Sequence, residues 1–142
     1  MIKFIATLND TSFLELDVDT FVIGNKKYAV RITASFDYEE MQDLVERIHA
    51  LGKQVYVSVN KLFTQEELVG LEEYLVSIKK LNVDGILFSD MGVYQIAKRN
   101  GFDNLLIYDP DTLLVNSYDV TFFRNLGLNS VILSKDISLD DI

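Results

Sequence analysis

The sequence predicts an α/β fold in which about six strand-helix units follow one another and build a parallel sheet. Three observations carry this expectation. Five stretches share one plan: a helix-ending Leu or Asn, often a Gly, a short polar step, and an apolar run closed by a polar residue. They are Leu16 to Asn25, Leu51 to Asn60, Leu81 to Asp90, Asn100 to Asp109 and Leu126 to Lys135. The runs Val55 to Val59, Ile86 to Phe88, Leu105 to Tyr108 and Val131 to Leu133 lack the strict polar alternation of a half-exposed strand, which is how strands buried on both faces read. Between the runs lie segments with helical periodicity and capping residues, so the order is β, α, β, α, with short connections and right-handed crossovers.

Taken in order, strands are predicted to start near Ile2, Thr20, Gln54, Val83, Asn104 and Ser130. A short first helix falls around Thr11 to Leu16. Asp37 and Glu40 have the spacing of a capping box before Met41, Leu44, Val45, Ile48 and Leu51, which share one helical face. Thr64 and Glu67 repeat that spacing before Leu68, Leu71, Leu75 and Ile78. Asp90 and Ser117 are the expected caps of two shorter helices, around Val93 to Ala97 and Val120 to Phe123. Gly52, Gly101 and Gly127 stand where helices end, and Pro110 falls in the loop after the fifth strand. The aromatics Tyr56, Tyr74, Phe88, Tyr108, Phe122 and Phe123 are expected in the core. Ser138 and Asp141 again have cap spacing, with only Ile142 after them.

A series of this kind is either an open doubly wound sheet or part of a TIM-like (β/α) barrel, and an eight-unit barrel typically takes ~250 residues. At 142 residues the expectation is a single domain over 1–142, a partial barrel that is truncated and leaves a sheet edge open. Self-association through that edge is the expected partnership. No apolar run reaches the ~18 residues of a membrane span and no basic leader precedes the first strand, which points to a cytoplasmic protein without membrane contact.

The chain has no cysteine, which excludes thiol nucleophiles, thiolate metal sites and iron–sulfur ligation by this segment, and no metal site is expected. Against 13 Lys and Arg stand 22 Asp and Glu, a net charge of -9. Direct nucleic-acid binding is disfavoured unless a local basic groove overrides that field.

Ligands of parallel α/β folds bind at the carboxyl ends of the strands, so the residues closing each apolar run are the first candidates: Asn9, Asn25, Asn60, Asp90, Asp109 and Lys135. Turns and helix caps demand Asn and Asp at the same places, and Asp90 and Asp109 fit those local roles. Arg31 follows a strand-loop segment, where a guanidinium either grips a carboxylate or phosphate or joins a surface ion pair. His49, the only histidine, reads as structural on a helix flank. No catalytic residue is assignable, since no phosphate loop, HExxH, GxSxG or metal-ligand cluster is present.

Four successive segments, Ile5-Ala6-Thr7-Leu8-Asn9, Val18 to Gly24, Val55 to Asn60 and Val83 to Asp90, together with the ending Val131 to Asp140, resemble the amino-terminal part of peptidase family U32, the collagenase-like proteases. The resemblance implies a barrel protein of more than twice this length, with a cysteine-bearing signature downstream of everything seen here. It implies a peptidase, with the amino-terminal portion inactive alone. Relatives that hydroxylate tRNA bases (uridine) or ribosomal RNA bases supply an alternative, and a non-enzymatic partner subunit a third reading. The substrate of the whole protein is then peptide or RNA. An iron–sulfur cluster is implied only for the missing half. Carried over by position, Asn9, Gly24, Arg31, Asn60, Asp90 and Asn116 match residue types the family keeps, and the resemblance makes Asn9, Arg31, Asn60, Asp90 and Asn116 substrate-binding candidates. Pro110 and Lys135-Asp136 depart from the family pattern, and lysine does not reproduce a bidentate arginine contact.

Overall fold

A computed structural model describes residues 1–142. Six parallel strands lie side by side in chain order: β1 (Ile5–Thr7), β2 (Thr20–Gly24), β3 (Gln54–Val59), β4 (Gly85–Phe88), β5 (Leu106–Tyr108) and β6 (Ser130–Val131). Four helices join them: α1 (Tyr38–Ala50), α2 (Leu71–Lys80), α3 (Met91–Arg99) and α4 (Ser117–Asn125). The sheet curls into half a barrel, as the strand-helix series predicts.

The pairing register sorts the strand residues into two faces. Phe21, Val55, Ile86 and Leu106 fall on the helix side, as do Ile23, Val57, Val59, Phe88 and Tyr108, and all belong to one core cluster of 26 buried residues. Helix α1 adds Met41, Leu44, Val45 and Ile48, all buried, and α2 adds Leu71, Leu75 and Ile78. Full burial of each such side chain stabilises the fold by roughly 1.5–3 kcal/mol. On the concave face lie Val22, Tyr56 and Gly85 in one row and Gly24, Ser58, Leu87 and Ile107 in the next. Gly85 has no room for a side chain: a Cβ there would stand 2.8 Å from both Ile107 Cδ1 and Tyr56 Cδ1, so the Tyr56 ring lies over it.

The Asp37–Glu40 box forms as expected, with Glu40 N–H donating to Asp37 at 2.9 Å and Asp37 N–H donating to Glu40 at 2.8 Å. The Thr64–Glu67 box also forms, but it closes a turn and not the helix. Gly70 takes φ 83, which stops any helix begun at Thr64, so α2 starts at Leu71. Asp90 caps α3 through Gly92 N–H at 2.7 Å. The cap of α4 is Asn116 and not Ser117: its side chain accepts from Tyr118 N–H and Asp119 N–H, while Ser117 is already helical. Thr11–Glu15 is a 3-10 turn. After Ser138 a single 3-10 turn follows, Leu139–Asp141.

Three strands start later than expected. Phe4 N–H donates to the Asp19 carboxylate at 2.7 Å, ahead of the first residue of β2, so pairing begins at Ile5 and not at Ile2. Asp84 N–H bonds Val55 O before β4 begins, and Asp103–Leu105 form a 3-10 turn before β5. Phe122 is 60% exposed, against its expected place in the core, and α4 buries none of its residues. Exposed apolar side chains gather at the two outer strands: Ile2, Phe4 and Ile5 beside β1, and Tyr118, Phe122 and Ile132 beside β6. No helix is long and apolar enough to cross a membrane.

Candidate functional site

The carboxyl ends of β2, β3 and β5 bring three side chains together. Asn60 directly follows β3 and is buried; its Oδ1 accepts from Val30 N–H at 2.9 Å and its Nδ2 donates to Asp109 Oδ2 at 3.4 Å. Asp109 directly follows β5. Its N–H donates to Phe88 O at 2.7 Å, and its carbonyl accepts from the Ser89 hydroxyl, which fixes the residue against β4. Arg31 reaches in from the loop after β2. One guanidinium nitrogen donates to Asp109 Oδ2 at 3.2 Å and the other pairs with Asp111 at 3.4 Å.

Two of these partners hold unusual backbone conformations. Arg31 has φ 59 and Asp111 φ 69, in the left-handed region where non-glycine residues are strained. Strain of this kind persists where surrounding structure over-determines it, and it concentrates at functional sites. The ion pair, the Val30–Asn60 hydrogen bond and Pro110 between the two aspartates supply that determination here.

The other candidates are spread around the same rim in local roles. Asn9 accepts from the Thr33 hydroxyl, in the loop that carries Arg31. Asn25 donates to Phe36 O and accepts from Lys27 N–H, shaping the start of that loop. Beyond capping α3, Asp90 accepts from Phe63 N–H at 2.9 Å, so both its oxygens are engaged. Asn116 is engaged as the α4 cap, and Lys135 is exposed beyond β6 with no ion-pair partner. The structure thus joins Arg31 and Asn60 through Asp109, whereas Asn9, Asp90 and Asn116 stay in separate contacts.

The sequence reading missed Asp111. Its signal was the tripeptide Asp109-Pro110-Asp111, which sets two carboxylates on either side of a rigid turn residue. His49 lies at the opposite end of the sheet: its Nε2 is 2.8 Å from Asp84 Oδ2, and that carboxylate also accepts from Val55 N–H at 2.8 Å. The only imidazole therefore cannot serve as acid or base at the strand carboxyl ends.

The rim presents guanidinium and amide N–H donors beside two carboxylates, a set suited to gripping a polar planar ligand. No three His, Cys, Asp or Glu side chains converge as metal ligands, and the chain has no cysteine. Its residues do not fit an iron–sulfur cluster.

Six parallel strands curled into a half-barrel with four helices place the chain in the class of α/β barrel-like proteins. Residues 10–142 match the sequence model of peptidase family U32, and the chain belongs to that family. It is 26% identical over 137 residues to the tRNA hydroxylation protein P2 of Bacillus subtilis, covering 96% of this chain and 44% of that one. It is 28% identical over 125 residues to the tRNA hydroxylation protein P of Escherichia coli, covering 87% and 28%. The solved structure of the U32 peptidase Mk0906 matches it with a TM-score of 0.72 at 16% identity, over 94% of this chain and 58% of that one, a likeness of fold. The chain spans less than half the length of these two curated relatives.

Proposed function

We propose that the chain is the amino-terminal barrel portion of a U32 protein that acts in tRNA base hydroxylation, in the cytoplasm where tRNA is met. The observation that carries this reading is the likeness, over most of the chain, to two proteins named for tRNA hydroxylation. The site is compatible with it. Arg31 carries five N–H donors and the ion pairs leave several free at the rim, beside the second amide hydrogen of Asn60. Asp109 and Asp111 aim those donors. A peptidase reading, which the family name suggests, finds less support: the rim holds no imidazole and no thiol.

The proposed partnership is self-association along the uncovered outer strands, where exposed apolar side chains gather. The test of the main reading is expression of the gene in a bacterium stripped of its own U32 genes, with mass spectrometry of tRNA nucleosides. Hydroxylated nucleosides are expected, and their loss in Arg31→Ala. Cleavage of casein or gelatin by the purified protein, with tRNA left unmodified, overturns the proposal in favour of a peptidase.

A further inference from the structure

Beside the Arg31 cluster, the loops after β2 and β3 enclose a separate cavity of about 320 Å³. Two aromatic rings line it. Tyr28 stacks on Tyr74 with centroids 3.6 Å apart and planes at 9°, and Phe63 stands 6.5 Å from Tyr28 at 45°. Both Tyr28 and Phe63 pack against the core and are only partly buried, so each also lines the cavity. Two ammonium groups flank the rings. Lys27 Nζ lies 5.3 Å from the Tyr28 centroid and makes no ion pair; Lys61 Nζ lies 5.9 Å from the Phe63 centroid and is paired with Glu67. The Lys61 hydrogen bond holds the Glu67 carboxyl below the usual carboxylate range, so Glu67 stays charged. Glu66 also lines the cavity, and its side chain takes part in no hydrogen bond within the chain.

We infer that this cavity is a nucleotide subsite: a base stacks on the Phe63 ring with Tyr28 beside it, its phosphate meets Lys27, and Glu66 accepts from N–H groups on the base edge. Aromatic faces with neighbouring cations are the arrangement that holds unpaired bases. The two walls are joined by Lys61 N–H donating to Tyr28 O at 3.4 Å, and Lys61 directly follows Asn60 in sequence. The cavity therefore adjoins the Arg31 rim through the consecutive residues Asn60 and Lys61. The net charge of -9 opposes RNA over the whole surface, and within the cavity Lys61 is paired with Glu67, so Lys27 is the cation left to meet a phosphate. The inference deepens the tRNA reading and rests on it for the source of the nucleotide. The same chemistry is offered by a free mononucleotide and by one residue of an RNA strand.

Fluorescence anisotropy of the purified protein with a labelled single-stranded oligoribonucleotide about ten nucleotides long, at several salt concentrations, tests the site, with unlabelled mononucleotides as competitors. Phe63→Ala should weaken binding roughly tenfold, the loss of one stacked base. Lys27→Ala, an exposed change that leaves the fold intact, should lower the salt slope by about one phosphate contact. Lys80→Ala, at the far end of α2, should change neither. Tight competition by mononucleotides supports the subsite and assigns it to free nucleotide; weak competition supports it and assigns it to a strand. Absence of binding, or equal losses in Lys27→Ala and Lys80→Ala, overturns the inference, as does displacement of the RNA by casein peptides through the same side chains. The two proposals fail separately. Missing tRNA hydroxylation with oligonucleotide binding intact removes only the tRNA reading, and hydroxylation with binding unaltered in both variants removes only the subsite.

Discussion

Arg31 and Asp111 stand 3.4 Å apart at the mouth of the half-barrel, and both hold left-handed backbone conformations, φ 59 and φ 69. Their loops follow β2 and β5, so the pair bridges the rim above the two strands between. Each side chain is held where its own backbone is strained.

That arrangement separates the backbone cost from the side-chain gain. Arg31→Gly and Arg31→Ala both remove the ion pairs, but only glycine accepts φ 59 freely, and the left-handed penalty is roughly 1–2 kcal/mol. Arg31→Gly is expected to be about 1 kcal/mol more stable than Arg31→Ala in urea denaturation. Equal stabilities would show that the loop relaxes once the guanidinium is gone.

Asn60 is buried and holds both the Val30 amide and the Asp109 carboxylate. Asn60→Ala leaves those groups without their partner, at a cost of about 1–3 kcal/mol. Asn60→Asp sets a second carboxylate beside Asp109 and should cost more. Denaturation midpoints should fall in both variants, and on the proposed reading tRNA hydroxylation should fall with them, because Val30 precedes Arg31.

Tyr74 supplies a pH dependence. Burial raises its hydroxyl pKa well above the usual 10.0, with the stacked Tyr28 adding to the shift. In the unfolded chain the group ionises near pH 10.0, so above that pH the unfolded state binds fewer protons than the native one. The stabilisation is complete below pH 10.0 and is lost as pH rises beyond it. Denaturant midpoints from pH 8 to 11.5 should decline in the natural protein, and less steeply in Tyr74→Phe.

The outer strands supply the last expectation. Tyr118 and Phe122 are 86% and 60% exposed on α4 beside β6. Sedimentation velocity at micromolar concentration should show association, and Phe122→Glu should shift the population toward monomer. A monomer at all concentrations would remove the proposed partnership.

What was legible in the sequence was set by local rules. Asn60 and Asp109 could be found because a continuous apolar run must end where its strand leaves the sheet, and the ends of parallel strands share one side. The pairing of Arg31 with Asp111 could not, since it depends on two loops distant in sequence and on φ values that neither residue type announces. Asn116 and Ser117 are adjacent, and either can cap, so the choice fell to backbone geometry. The Thr64–Glu67 spacing was read correctly as a hydrogen-bonded box, yet nothing in it says whether the chain continues as helix, and Gly70 decided that it does not. The exposure of Phe122 reflects which strand its helix lies beside, a property of the assembled sheet.

The ring of Tyr56 rests over Gly85 and fills the space that a side chain at 85 would take. Ile107 closes the same space from the neighbouring strand, so three strands meet on the concave face without a gap at position 85. The next row toward the carboxyl ends is also packed, with Ser58 and Leu87 buried, so the interior of the half-barrel is a filled core and the open surface lies at the loops. The closeness of these strands is thus set by an absent side chain at position 85.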